Sequence, residues 1–147
     1  MLTIHYLMKD TELRQEKDRE LYDIYLKGLN EIGFRNMHEA IDWVRSQPAS
    51  KFYVSPKVLT NYIGAILNGS KPPKMFSSNE KKMKILYNMY LDFLNDNPEC
   101  HLSRGRICEI LVDEPAPMFF ICHDSCMKAI AREKARRRRE FLKRIER

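Results

Sequence analysis

Two stretches of this chain recur in the same order at nearly constant spacing. Residues 21–31 read Leu-Tyr-Asp-Ile-Tyr-Leu-Lys-Gly-Leu-Asn-Glu and 86–96 read Leu-Tyr-Asn-Met-Tyr-Leu-Asp-Phe-Leu-Asn-Asp, an offset of 65. Residues 47–54 read Gln-Pro-Ala-Ser-Lys-Phe-Tyr-Val and 114–121 read Glu-Pro-Ala-Pro-Met-Phe-Phe-Ile, an offset of 67. Only two residues are gained between the blocks, so the spacing points to a duplicated unit of about 65 residues. Both copies must then satisfy one folding plan, and each residue can be judged against its counterpart.

The plan is helical. Leu21, Tyr25 and Leu29, with Ile24 beside them, form one apolar stripe on a helix predicted over 11–31, with Asp10 or Thr11 at its cap and Gly33 at its end. A second helix is predicted over 36–46, where Asn36 and Glu39 fit a capping box and Met37, Ala40, Ile41 and Val44 form the inner face. Ser55-Pro56 opens a third, with Ser at the cap and Pro at the first turn, and Asn68-Gly69 closes it. Its stripe is Val58, Leu59, Tyr62, Ile63 and Ile66. The second copy predicts helices over 80–95, 104–113 and from 124 onward. No Gly or Pro follows Pro117, so the last helix has no stop signal. The alternating segment 2–7 (Leu-Thr-Ile-His-Tyr-Leu) is expected as a short strand that pairs with 52–54 or 119–121. The expectation is an all-α protein of tandem three-helix units: 1–70, a linker 71–79, 80–127, and a basic C-terminal helix 128–147.

Charge is concentrated at one end. Residues 128–147 hold ten Lys/Arg against three Asp/Glu, whereas 1–127 hold 16 against 17, within a formal net charge of +6. A nearly neutral body with a cationic end points to a polyanionic partner, DNA or RNA first. No apolar run reaches the roughly 20 residues that span a bilayer. The start lacks the basic-then-apolar layout of a signal peptide. Four cysteines without such a signal fit a reducing, cytoplasmic compartment.

Catalytic signatures are missing: there is no G-x-S-x-G, H-E-x-x-H, P-loop or G-x-G-x-x-G. Cys100, His101, Cys108, Cys122, His123 and Cys126 lie close in sequence, as zinc ligands do. At the offset of 67, however, Cys108 matches Ile41 and Cys126 matches Leu59, both core positions, so these thiols read as small buried hydrophobes. Cys122 and His123 match the capping pair Ser55-Pro56. Neither an enzyme, a metal nor a cofactor is expected.

The candidate nucleic-acid contacts are Lys128, Arg132, Arg136, Arg137, Arg138, Arg139, Lys143 and Arg144, with Lys71, Lys74, Lys81, Lys82 and Lys84 in support. A helix-turn-helix reading would present Lys57, Thr60 and Asn61, or Lys128 and Arg132, to base edges. The eight-residue connection 48–55 is longer than that motif's turn. A second expectation is a structural or adaptor protein, plausibly a phage virion or packaging component, whose helical repeats contact other viral or bacterial proteins or another copy of the chain.

The phrase at 48–55 (Pro-Ala-Ser-Lys-Phe-Tyr-Val-Ser), its partner at 115–122, and the Tyr-x-x-Tyr helix resemble small repeat-containing hypothetical proteins of Bacteroides-like bacteria and their phages. That resemblance implies a bacterial or phage setting and brings no catalytic or binding residue with it. Met118 and Cys122 stand in the second copy where Lys51 and Ser55 stand in the first.

Overall fold

The computed structural model describes residues 2–72, 74, 75 and 77–146, with side chains from residue 11 onward. It contains α1 (Leu2–Glu31), α2 (Met37–Ser46), α3 (Pro56–Leu67), α4 (Ser77–Asp96), α5 (Arg104–Val112) and α6 (His123–Ile145). The described residues form no strand, and the protein is all-α. Segment 2–7, expected as a strand, is instead the first part of α1. The physical reason is cooperativity: extending an existing helix backward needs no new nucleus, whereas a lone strand needs a pairing edge.

Helix ends follow their local chemistry. The Asn36 side chain accepts from Glu39 N at 2.9 Å, Ser55 Oγ from Val58 N at 3.2 Å, and Ser103 Oγ from Arg106 N at 3.2 Å. Gly33 (φ 71°) and Gly69 (φ 74°) sit just beyond α1 and α3 in the left-handed region that ends helices. With no such breaker after Pro117, α6 runs unbroken for 23 residues.

Packing does not follow chain order. One compact unit comprises residues 1–47 and 121–147, hence α1, α2 and α6; the other comprises 48–120, hence α3, α4 and α5. This division cuts across the expected boundaries at 1–70, 71–79, 80–127 and 128–147. Helix α3, which follows α1 and α2 in sequence, packs on α4 and α5, and α6 packs on α1 and α2.

In the first unit the core is Leu21, Ala40, Ile41, Val44, Cys126, Ala129 and Ile130. The ring of Trp43 lies 5.6 Å from that of Phe34 and covers Gly28, where an added Cβ would stand 2.6 Å from Trp43 Cζ3. Asp18 pairs with Arg132 and Asp23 with Arg137, so both helices advance five residues together and α1 runs parallel to α6. Leu29 and Met37, expected on inner faces, are exposed.

In the second unit Leu59, Tyr62 and Ile63 of α3 are buried, as are Met83, Leu86 and Tyr90 of α4 and Ile107, Cys108 and Leu111 of α5. Val58, expected inside, is exposed. The two recurring phrases meet here. Ala49 and Ala116 form an isolated antiparallel pair, each N–H donating to the other's carbonyl at 3.0 Å. The Phe52 ring stacks on Phe120 (6.1 Å, 14°) and Tyr53 on Phe119 (6.2 Å, 12°). Tyr53 and Phe120 share a left-handed φ of 53°, costly for an aromatic residue.

Candidate nucleic-acid interface

The face of α6 that packs inward is set by spacing. Cys126, Ala129, Ile130 and Glu133 recur at three- and four-residue intervals and form the buried stripe. Glu133 is the unusual member, a carboxylate whose side chain is only 1% exposed. A buried charge needs partners. Arg136 supplies them through Nε at 2.8 Å and Nη2 at 2.6 Å, and Arg137 through Nε at 2.8 Å. The hydrogen bonds from Arg136, against the opposing effect of burial and aided by Arg137, hold the Glu133 carboxyl below its ordinary range and raise the guanidinium pKa of Arg136.

Both arginines extend further. Arg136 Nη1 reaches Glu140 at 2.7 Å, and Arg137 Nη2 reaches Asp23 of α1 at 2.7 Å. The Arg137 guanidinium also lies 4.7 Å from the centroid of the Tyr22 ring. One turn earlier, Arg132 forks onto Asp18 through Nε (2.9 Å) and Nη2 (3.0 Å). Lys128 Nζ pairs with Asp124 at 3.0 Å. Arg132 and Arg137 therefore tie α6 to α1, while Arg136 is held by Glu133 and Glu140 of α6 itself. All three have acidic partners within the chain, where free phosphate contacts were expected.

What remains is narrower and better ordered. Arg138, Arg139, Lys143 and Arg144 are exposed, as is Lys134, and none has an acidic partner among the described residues. Lys134 and Arg138 are one turn apart on one flank of α6, and Arg139 and Lys143 one turn apart on the other. Between the rows lie Ala131, Ala135 and Leu142 on the outward face. Phe141, Leu142 and Ile145 are exposed at the same end of the helix.

The supporting lysines lie in the other unit. Lys71, Lys74, Lys81 and Lys84 are exposed. Lys82 is not a surface contact: it is 7% exposed and its Nζ donates to the Tyr53 carbonyl at 3.5 Å. The helix-turn-helix reading is also not met, since α2 and α3 belong to different units, as do α5 and α6. Thr60 Oγ1 donates to the Pro56 carbonyl at 2.7 Å within its own helix.

The cysteines sort as their counterparts predict. Cys108 and Cys126 are fully buried. Burial raises both thiols, Cys126 to about 11. Cys122 is exposed and stands at the N-cap position of α6 without a side-chain cap bond, unlike Ser55 before α3, and hydrogen bonding with Ser125 lowers its pKa. Sequence reasoning missed Asp18, Asp23 and Glu133 as acceptors. Glu133 was legible, lying three and four residues before Arg136 and Arg137; the two aspartates, more than a hundred residues away, left no such trace.

No protein-family model, curated protein or solved structure matches the chain. Among the described residues, no helix is long and apolar enough to cross a membrane.

Proposed function

We propose that the chain is a duplicated helical scaffold that binds nucleic acid without catalysis and with little sequence preference, in the cytoplasm of a bacterial or phage-infected cell. The contact surface is the pair of cationic rows Lys134/Arg138 and Arg139/Lys143, with Arg144 at the helix end. The observation that carries the reading is the division of labour on α6. Three arginines are taken up by acidic partners within the chain, while five other cations have no acidic partner among the described residues. A rigid helix that displays unneutralised charge meets phosphates at low ordering cost. The duplication reading is supported by the matched left-handed residues Tyr53 and Phe120, 67 positions apart, and by the Ala49–Ala116 pair at the same offset.

The test is binding of a labelled 20-base-pair duplex at low salt to the intact chain and to a variant carrying Lys134→Gln, Arg138→Gln, Arg139→Gln, Lys143→Gln and Arg144→Gln. Substitution is preferable to truncation at Lys134, which would also remove the structural Arg136 and Arg137. The variant is expected to lose at least tenfold in affinity. Equal affinity removes the proposal.

A second reading, an adaptor or virion component that contacts proteins, is favoured by exposed Phe141, Leu142 and Ile145. A defined oligomer by light scattering that persists at high salt, with no nucleic-acid absorbance, would support it instead.

A further inference from the structure

Helix α2 carries His38 and Asp42 one turn apart, with His38 Nε2 3.3 Å from Asp42 Oδ2. The first residue of α6, His123, brings its ring to 4.4 Å from the His38 ring, centroid to centroid. One ligand atom from each of the three residues lies within 4.8 Å of the others. We propose that His38, Asp42 and His123 form a binding site for a divalent transition-metal ion, zinc in the first place.

Four observations carry it. Zinc bonds of about 2.0–2.2 Å in a tetrahedron separate ligand atoms by roughly 3.4 Å, so a small side-chain rotation closes the observed triangle. Nε2 of His123 is buried and has no hydrogen-bond partner, which leaves an imidazole nitrogen unsatisfied where a cation would satisfy it. The site is also braced. Arg45 Nε donates to the Ile121 carbonyl at 2.8 Å, and its Nη1 bonds Asp42 Oδ1 at 3.1 Å. One side chain thus ties α2 to the segment that delivers His123 and orients the carboxylate, leaving Oδ2 toward His38. Finally, the positions matched at the offset of 67 are Gly105, Glu109 and Pro56, and α5 and α3 form there without any imidazole. The helical plan does not require this histidine pair.

Two neutral imidazole nitrogens and one carboxylate oxygen select zinc, cobalt or nickel over magnesium or calcium. The side chains of His38 and Asp42 are 73% and 48% exposed, so the remaining coordination position faces water. The positive Arg45 beside Asp42 weakens the site relative to a closed structural one.

The experiment is zinc titration of the chelator-stripped full chain by calorimetry at neutral pH, with cobalt and its visible absorption as a second probe. The variants are His38→Gln, His123→Pro and Cys122→Ser. His123→Pro places at the first turn of α6 the residue that α3 carries there, and circular dichroism verifies each fold. One equivalent of zinc is expected, with a rise in Tm on saturation. Binding should weaken at least tenfold in His38→Gln and in His123→Pro and stay within threefold in Cys122→Ser. Absence of stoichiometric binding, unchanged affinity in both histidine variants, or a loss confined to Cys122→Ser overturns the proposal.

Discussion

Ala49 and Ala116 face each other as a reciprocal backbone pair, each amide donating to the other's carbonyl at 3.0 Å. They occupy the same place in the two recurring phrases, and the aromatic pairs beside them obey the same exchange. Shifting Phe52–Phe120 by 67 in one phrase and back in the other gives Phe119–Tyr53, the second observed stack. Matched positions should therefore carry matched energies. Phe52→Ala and Phe119→Ala are each expected to cost about 3–5 kcal/mol, as buried phenylalanines do. Urea unfolding of the two variants measures this. A difference above roughly 2 kcal/mol would mean the phrases are not equivalent.

Close approach at Gly28 gives a contrast with Gly105. An added Cβ at Gly28 meets Trp43 at 2.6 and 2.9 Å, whereas at Gly105 nothing lies within 4 Å. Gly28→Ala is expected to destabilise by about 1–3 kcal/mol through overpacking. Gly105→Ala, in a helix with open space, should stabilise by about 0.5–1 kcal/mol. Thermal melts of the two variants should shift in opposite directions.

Removing Glu133 takes one carboxylate from two guanidiniums at once, leaving Arg136 with Glu140 and Arg137 with Asp23. Glu133→Ala is expected to cost roughly 2 kcal/mol, below the 3–5 kcal/mol of a wholly enclosed pair because both arginines keep some water. Acid acts on the same group. Its folded-state pKa is depressed, so its contribution is full above the ordinary glutamate range and is lost as pH falls below that range, through the lower folded value. The wild-type chain should lose stability between neutral pH and about pH 3 more steeply than Glu133→Gln. Parallel pH profiles would contradict the assignment.

Thiol reactivity should divide by burial. Cys122, exposed and with a lowered pKa, is expected to react with an aromatic disulfide reagent at least tenfold faster than Cys108 or Cys126, both buried and raised. Mass mapping of the labelled native chain decides it. Labelling of Cys126 at the rate of Cys122 would show that α6 does not hold its packing.

Local chemistry was legible in the sequence and long-range exchange was not. Asn36, Ser55-Pro56 and Gly69 marked helix ends because caps and left-handed turns depend on a few adjacent residues. Cys108 and Cys126 were placed in the core because their counterparts are Ile41 and Leu59. The assignment of α3 and α6 to units was hidden, since the same apolar stripes fit either neighbour. Leu29 and Met37 kept the helical period yet are exposed, because periodicity names a face without saying how far the neighbouring helix reaches. The basic end was partly legible for a similar reason: composition reports charge, while Asp18 takes Arg132 and Asp23 takes Arg137 from more than a hundred residues away.

The salt dependence of duplex binding tests the role of α6 most directly. Each phosphate neutralised contributes about −0.9 to the slope of log K against log salt, so four to five contacts predict a slope near −4. Arg138→Gln with Arg139→Gln should bring it to about −2. A slope near zero, or one unchanged by the double substitution, would contradict the claim that the outward cations of α6 bind the nucleic-acid backbone.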